Sequence, residues 1–351
     1  MFSTFLRFLT TDIGIDLGTA NTLVYVKGRG IVVNEPSIVA VNKKTGKVLA
    51  IGKQAERMIG RTPAHIVATK PLTQGVVSDF EITEQMLRHF FGTMGGKRPL
   101  RSPRVVVGVP AGVTEVEKRA VEDAARNAGA REAFLIEEPM AAAIGTRLPV
   151  QDAQGSMIVD IGGGTTEVAV ISLGGIVAVR SIKIAGDRLT EDIRHFAQEE
   201  LRVLLGERTA EEIKMAAGSA VSRGNAKALE VAMRGRDIVT GLPREIVVND
   251  TQLRQAMARS LASIVHAVRE VIEETPPELV ADIMSHGILL TGGGALLRGI
   301  DRLISNETRM PTLIADDPMT AVVRGCGFVL EDLKTLEEVL VSADSAPITI
   351  T

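Results

Sequence analysis

The chain of 351 residues is 45% hydrophobic and 24% charged, a composition typical of a folded soluble protein, and it excludes a mostly disordered one. Lys and Arg total 40 against 43 Asp and Glu, and the formal charge of −3 gives no global attraction to nucleic acid, so we expect no such partner. A single cysteine, Cys326, excludes an internal disulfide, and no apolar run approaches the roughly 20 residues of a membrane-spanning helix.

The amino-terminal segment has helical apolar spacing. Phe2, Phe5, Leu6 and Leu9 follow the i, i+3, i+4, i+7 pattern, and Arg7 is the only charged side chain among the first nine residues. This pattern predicts an amphipathic helix on a membrane surface. Burial of the segment in the core of the protein is the alternative.

Strand-like runs alternate with helical periods along the rest of the chain, which indicates an α/β architecture. We predict strands at residues 13–16, 105–109, 134–136, 157–160 and 288–290. We predict helices at residues 114–129, 186–206 and 250–274.

A weak internal repeat relates two segments of the chain. Residues 13–26 align without gaps on residues 157–170 and pair Asp16 with Asp160. Each copy reads as a strand that ends in aspartate, a turn rich in Gly and Thr, and a second strand. Two such hairpins in one chain predict a clamp for the phosphates of a nucleotide.

The backbone amides of the two turns are the predicted phosphate ligands, because glycine leaves no Cβ in the way of a phosphate oxygen. An ordinary glycine hairpin is the alternative for either turn alone. The residues concerned are Gly18, Thr19, Ala20 and Asn21 in the first turn and Gly162, Gly163, Gly164 and Thr165 in the second.

Asp16 and Asp160 precede the two turns. A pair of carboxylates suits a magnesium ion that keeps most of its waters and bridges to phosphates. The alternative role for each aspartate is to cap its own turn.

A third glycine cluster, TGGGALLRGID at residues 291–301, follows a predicted strand. We expect a nucleotide-contacting turn that opens a helix at Ala295. The cluster has neither the ending of a Walker loop nor the spacing of a dinucleotide fingerprint. The predicted contact residues are Gly292, Gly293, Gly294 and Ala295.

Two segments remain between residues 60 and 150. Residues 90–101, FFGTMGGKRPLR, are apolar and basic and form a second candidate for lipid contact, with an ordinary mobile loop as the alternative. Residues 137–145, EEPMAAAIG, read as the start of a helix, where Glu138 would be favoured by its charge alone.

The motifs DLGTANT, NEPS, EEPMAAAIG, DIGGGTTEVAV and LTGGGALLRGID together resemble the MreB family of bacterial actin homologues, within the actin, Hsp70 and sugar-kinase ATPase superfamily. The resemblance extends over residues 12–332. It implies an actin-like ATPase fold of two duplicated lobes, each with a central mixed sheet flanked by helices, and ATP or ADP with Mg²⁺ in the cleft between them.

The same resemblance implies four subdomains. The inner subdomain of the first lobe comprises residues 1–35, 70–146 and 316–351, and its outer subdomain residues 36–69. The second lobe has an inner subdomain of residues 147–183 and 248–315 and an outer subdomain of residues 184–247.

The resemblance also assigns roles to single residues. Glu138 and Thr165 match the positions that orient the attacking water, a role that phosphoryl transfer can give to a carboxylate and a hydroxyl. Glu211 and Lys214 match positions beside the ribose and adenine, with an exposed ion pair as the alternative. Asp187 matches a further residue of the nucleotide cleft.

The implied function is that of an ATPase that polymerises into filaments on the inner face of the cell membrane and organises cell-wall synthesis to maintain rod shape. Its implied partners are further copies of the chain, inner-membrane lipid, and membrane-bound cell-shape and wall-synthesis proteins. A sugar or acid kinase of the same superfamily is the main alternative. An Hsp70-type chaperone would need a peptide-binding region that the roughly 20 residues after Asp332 do not provide.

Overall fold

The computed structural model describes residues 12–93, 102–224, 227–333 and 335–341. The chain divides into two compact units. Unit 1 comprises Met1–Gln154, Ile171–Val177 and Met319–Thr351, and unit 2 comprises Gly155–Val170 and Ala178–Pro318. The finer division into four subdomains stays a prediction.

The strands, in chain order, are β1 (Ile13–Leu17), β2 (Asn21–Val26), β3 (Gly30–Pro36), β4 (Val39–Asn42), β5 (Val48–Ile51), β6 (Ile66–Thr69), β7 (Leu72–Thr73), β8 (Val76–Val77), β9 (Arg104–Val109), β10 (Glu132–Glu137), β11 (Ser156–Ile161), β12 (Thr166–Ser172), β13 (Gly175–Ile182), β14 (Val203–Leu204), β15 (Glu230–Asp237), β16 (Pro243–Asn249), β17 (Ile288–Thr291), β18 (Thr312–Ile314) and β19 (Leu340–Val341).

The α-helices are α1 (Lys53–Glu56), α2 (Phe80–Thr93), α3 (Glu115–Ala128), α4 (Glu138–Gly145), α5 (Gly186–Glu199), α6 (Glu207–Ala217), α7 (Asp250–Glu274), α8 (Pro277–His286), α9 (Ile300–Thr308) and α10 (Ala321–Glu331). None of the helices in the described ranges is long and apolar enough to cross a membrane.

Unit 1 is built on a six-stranded mixed sheet in the order β19-β10-β9-β1-β2-β3. Strands β1, β9 and β10 are parallel, whereas β1 and β2 form an antiparallel hairpin. The valines of β9 are buried, as expected for a parallel strand covered on both faces. A small sheet, β5-β4-β6, has its own core around Ile38 and Ala55.

Unit 2 contains a five-stranded sheet in the order β13-β12-β11-β17-β18 and a three-stranded sheet in the order β14-β15-β16. All six residues of β11 are buried. The long helix α7 packs its apolar stripe into the core of this unit, where Leu253, Met257 and Ile264 are completely buried.

The predicted strands are confirmed, and so is the helix at residues 250–274. The helix at residues 114–129 is confirmed with a capping box, in which the side chains of Thr114 and Glu117 each accept a hydrogen bond from the other residue's backbone N–H.

Two predicted boundaries are wrong. The helix at residues 186–206 ends at Glu199, because Arg202 adopts a left-handed backbone conformation and the next two residues pair as β14 with β15. The apolar spacing of Leu201 and Leu204 imitated a continuing helix, but strand pairing decided the structure. No α-helix opens at Ala295. A 3₁₀ turn covers Gly293–Leu296, and α9 begins only at Ile300.

Candidate functional site

The first glycine turn joins β1 to β2 and follows Asp16, whose side chain is half-buried. An added Cβ at Gly18 would lie 2.8 Å from the carbonyl oxygen of Asn21, so the turn is as tight as the glycine predicted. Thr19 is buried, and Ala20 and Asn21 are half-buried. Unit 1 therefore holds the predicted residues of the first turn together at the end of one hairpin.

Hydroxyl groups from neighbouring segments stabilise this turn. The Ser37 Oγ donates a hydrogen bond of 2.6 Å to the Gly18 carbonyl and lies 2.8 Å from Thr22 Oγ1. The Thr19 Oγ1 accepts a hydrogen bond of 2.8 Å from the Gly75 amide. The Thr19 side chain thus has a structural partner within unit 1.

Glu138 starts α4 directly after β10 and is 7% exposed. The strand register places Asp16, Gly108 and Ile136 side by side across β1, β9 and β10, two residues before Glu138. A Cβ at Gly108 would lie 3.5 Å from the Cγ of Glu138. Its tightest contact would be with Val322 Cγ1 at 3.0 Å, so the glycine fits close packing between β9 and α10 beside Glu138.

Cys326 lies beneath these carboxylates in α10. Burial raises the pKa of its thiol well above the usual value, and the negative charges of Asp16 and Glu138 raise it further. Both carboxylates therefore lie close to the same buried thiol. A buried thiol with a raised pKa is a poor nucleophile, so we assign Cys326 no chemical role.

The second glycine turn joins β11 to β12 and is closed by a hydrogen bond of 2.9 Å from the Gly162 amide to the Thr165 carbonyl. The amides of Gly186 and Asp187, at the start of α5, donate to the carbonyls of Gly162 and Gly163 at 3.1 and 2.8 Å. The start of α5 therefore supports this turn from below, and Asp187 is brought beside it as predicted.

Glu211 and Lys214 form an ion pair at 2.7 Å, as the alternative interpretation of their spacing expects, and their contact with ribose and adenine stays a prediction. The side chain of Lys214 is only 11% exposed, and its Nζ also donates to the Gly186 carbonyl at 2.8 Å and to Thr190 Oγ1 at 3.0 Å. The Glu211 carboxylate accepts a hydrogen bond from the same threonine hydroxyl. This pair therefore ties α6 to the start of α5 next to the second turn, which an exposed surface pair does not do.

The third glycine turn packs against Asp160 through Gly292. Gly292 adopts φ +80°, and an added Cβ would lie 2.5 Å from Asp160 Oδ1 and overlap the carbonyl oxygen of Ile161. A Cβ at Gly294 would overlap the Ile161 side chain, whereas one at Gly293 would meet no atom within 4 Å. The structure therefore requires two of the three glycines and leaves the third facing open space. Ala295 is fully buried.

Asp160 carries the strongest sign of a ligand site in unit 2. It is 6% exposed, and its Oδ1 has no hydrogen-bond partner in the described chain. Burial raises its pKa to about 6, and the facing Thr291 hydroxyl only partly opposes this shift. Buried carboxylate oxygens are normally paired, so an unpaired one fits a cation or its bound water.

No group of three or more His, Cys, Asp and Glu side chains within the described ranges is placed to hold a metal ion. The unpaired oxygen of Asp160 fits a magnesium ion that keeps most of its waters. The magnesium roles of Asp16 and Asp160 stay predictions.

The membrane-contact residues Phe2, Phe5, Leu6 and Leu9 lie outside the described residues. The prediction of a lipid-facing loop is wrong for its first part, because Phe90 and the next three residues form the last turn of α2 and Phe90 is 1% exposed. Residues 94–101 lie outside the described ranges.

Sequence reasoning missed three residues at these turns. Ser37 stood inside the quoted NEPS motif without a role. Gly108 interrupts a run of valines in a strand, which is a usual sign of close approach by another group. Thr291 precedes the third glycine cluster and faces Asp160 across β11 and β17.

Comparison with known proteins supplies the family. The model of the family described as MreB/Mbl protein matches residues 10–338. The cell shape-determining protein MreB of Escherichia coli K12 is 50% identical over 336 residues, which cover 94% of this chain and 96% of that protein. The cell shape-determining protein Mbl of Bacillus subtilis 168 is 49% identical over 325 residues, which cover 93% and 97%.

Solved structures agree. The crystal structure of MreB5 of Spiroplasma citri bound to ADP is 40% identical, with a TM-score of 0.88, and covers 94% of this chain and 98% of that one. Its AMPPNP-bound form has a TM-score of 0.89. A MamK double helical filament, 20% identical over 92% of this chain and 99% of that one, shares the fold with a TM-score of 0.78. With relatives about half identical along nearly its whole length, the chain has the actin-like fold and belongs to the MreB/Mbl family.

Proposed function

We propose that this chain is an actin-like ATPase that binds ATP and ADP with Mg²⁺, polymerises into membrane-associated filaments, and organises cell-wall synthesis to maintain rod cell shape. The observation that carries the proposal is the 50% identity, over 94% of the chain, to a cell shape-determining MreB. The ADP- and AMPPNP-bound forms of the MreB5 relative support the choice of nucleotide. A sugar or acid kinase is not favoured by any of these relatives.

The chemistry follows from what each unit holds. In unit 1, the amides of residues 18–21 bind phosphate, and Glu138 accepts a hydrogen bond from the attacking water. In unit 2, the amides of residues 163–165 bind phosphate while the Gly162 amide closes the turn, and the Thr165 hydroxyl is assigned to water orientation. Magnesium, when bound, neutralises charge that develops on the phosphate oxygens. Asp16 and Asp160 bind its hydration waters in this scheme.

The nucleotide base and sugar are assigned to unit 2. Glu211, Lys214 and Asp187 lie around the start of α5, and Gly293 faces open space in the third turn. The MamK filament and the family together support polymerisation. The membrane anchor is proposed to be the apolar face of Phe2, Phe5, Leu6 and Leu9, with inner-membrane lipid and wall-synthesis proteins as partners on the cytoplasmic side.

Phosphate release and pelleting with MgATP test the proposal, with and without liposomes of anionic lipid. We expect the parent to hydrolyse ATP, to pellet, and to bind liposomes. Glu138→Ala should hydrolyse at least tenfold more slowly while still binding nucleotide, because water orientation is lost and the phosphate ligands remain. Phe2→Asp with Leu6→Asp should lose liposome binding alone. A parent that phosphorylates sugars and never pellets would overturn the proposal.

A further inference from the structure

A groove of about 770 Å³ lies between two sheet edges of unit 1. Strand β3 is the last strand of the six-stranded sheet, and β5 is the last strand of the small sheet. Among the described residues, neither strand has a neighbour on its other side, so each presents an unpaired edge. The last turn of α2 lines the same groove with the buried side chain of Phe90.

The groove leaves apolar side chains exposed to solvent. Ile31 on β3 is 36% exposed, and Leu49 on β5 is 44% exposed. Three further apolar side chains line the groove and are half-buried: Val32, Ala50 and Ile51. An apolar groove bounded by strand edges is typical of a site that receives a chain segment with apolar side chains.

The amino-terminal segment leaves unit 1 from a fixed point. Asp12, the residue before β1, is buried, and its carboxylate accepts a hydrogen bond of 2.5 Å from the Arg104 guanidinium. The Asp12 carbonyl accepts a further hydrogen bond of 3.0 Å from the Lys27 amide. Residues 1–11 lie outside the described residues, but the place where they join the sheet is therefore held on two sides.

This exit point lies near one end of the groove. The strand register sets Ile13, Val26 and Gly30 side by side, and the next residue of β3 is the first that lines the groove. Neighbouring strands are about 4.8 Å apart, so about 10 Å separate Ile13 from the edge strand. Residues 10–12 span about 10 Å when extended, and a helix of residues 2–9 is about 12 Å long. The five residues of β3 that line the groove extend over about 16 Å, so the segment reaches and fits it.

The carboxyl-terminal segment matches the groove less well. Residues 342–351 follow β19, at the opposite edge of the same sheet, five strand spacings or about 24 Å from β3. Their sequence, SADSAPITIT, contains a proline and has no large apolar residues at helical spacing. The amino-terminal segment instead offers four large apolar side chains on one predicted face.

We propose that the apolar face of Phe2, Phe5, Leu6 and Leu9 docks into this groove of its own chain in the monomer and leaves the groove for the membrane when filaments form. The membrane step rests on the proposed function, whereas docking does not. Groove and lipid compete for the same face, so docking keeps a monomer off the membrane. In a filament the linked anchors gain avidity for lipid, while docking stays a contact within each chain, and the balance moves to the membrane.

The first test is the rate at which a maleimide labels Leu49→Cys in the nucleotide-free, monomeric chain, with and without residues 1–9. The native thiol of Cys326 is buried with a raised pKa, so its background labelling is slow. We expect deletion of residues 1–9 to speed labelling about tenfold or more, because the docked face covers this position. Leu313→Cys, at an exposed apolar position of unit 2, is the matched control and should label equally fast in both chains.

The second test is co-sedimentation of the nucleotide-free, full-length chain with liposomes of anionic lipid. Leu49→Asp should raise the bound fraction about threefold or more, because a carboxylate in the groove expels the apolar face and leaves it available to lipid. Adding Phe2→Asp and Leu6→Asp to this variant should return binding to background. Leu313→Asp is the control and should bind like the parent.

Equal labelling of Leu49→Cys with and without residues 1–9 would overturn the inference. A labelling rate that falls as the chain is concentrated would also overturn it, because the segment of a second copy would then be the occupant. A Leu49→Asp variant that binds less lipid than the parent would show that the groove itself contacts lipid, again against the inference. A chain whose residues 1–9 protect Leu49→Cys, but whose filaments never bind liposomes, would defeat the membrane part of the proposed function and leave docking standing.

Discussion

The two duplicated turns share a backbone shape but are stabilised in different ways. In both, the next-to-last residue of a strand is aspartate, and a threonine hydroxyl near the start of the following strand, Thr22 or Thr166, bonds to a later segment. The carbonyl of the first turn accepts a hydrogen bond from the Ser37 side chain, whereas the carbonyls of the second accept backbone N–H groups from α5. The first turn therefore depends on one side chain, and the second depends on the position of a helix.

The aspartates that precede the two turns also differ in their burial and in their hydrogen bonding. Asp16 is half-buried, whereas Asp160 is buried with an unpaired oxygen. The pKa of Asp160 is raised to about 6 by burial. The comparison teaches that the second turn lies beside a buried carboxylate oxygen without a partner in the described chain, while the first turn is braced by side-chain hydroxyls. Removing a hydrogen-bonding side chain should therefore destabilise the first turn. Removing an unpaired polar group should instead change the stability of the second turn.

The largest expected effect concerns the glycines above Asp160. Gly292→Ala should lower the free energy of unfolding by about 3 kcal/mol or more, because it combines a left-handed backbone with overlap against the Ile161 carbonyl. Gly293→Ala should change it by less than about 0.5 kcal/mol, since its Cβ meets no atom. Urea unfolding of the ligand-free variants measures both. Equal losses of stability in the two variants would contradict the crowding at Gly292 and the open space at Gly293.

The next effect concerns the brace of the first turn. Ser37→Ala should lower the free energy of unfolding by about 2 to 3 kcal/mol, because the part-buried Gly18 carbonyl and the buried Thr22 hydroxyl lose their partner. The same urea unfolding experiment measures it. The control is Ser285→Ala, which removes an exposed serine hydroxyl that bonds only within its own helix. If Ser37→Ala is as stable as that control, the first turn is not held by its side-chain brace.

The smallest effect depends on pH. The pKa of Asp160 is about 6 in the folded chain and near 3.8 when unfolded. The folded state therefore binds this proton more tightly, and stability falls as pH rises from about 4 to about 6, then stays level. Asp160→Asn removes this term of about 1 to 3 kcal/mol, so the ligand-free variant should gain stability relative to the parent between pH 4 and pH 8. Melting curves at both values measure the gain. Parallel pH profiles for parent and variant would contradict the raised pKa.

The sequence predicted the elements that depend on local pattern. The hairpins with their glycines, the apolar stripe of α7 and the helix α3 that ends before a glycine all follow from spacing and residue type. The ion pair between Glu211 and Lys214 also followed from spacing on one helix.

What the sequence did not predict depends on contacts between distant segments. The end of α5 is set by pairing of β14 with β15, and the burial of Phe90 by packing of α2. Ser37 matters because it bonds to the turn at Gly18, 19 residues earlier in the chain. Thr291 matters because the register of β11 and β17 places it opposite Asp160. No local pattern carries that information.

Hydrogen exchange at the two turns, measured by mass spectrometry with and without MgADP, tests most directly the claim that both copies bind the nucleotide. We expect the amides of residues 18–21 and of residues 163–165 to exchange more slowly when MgADP is bound, because phosphate oxygens accept hydrogen bonds from them. The exposed hairpin tip between β15 and β16 should exchange at an unchanged rate. Unchanged exchange at either turn under saturating MgADP would contradict the account.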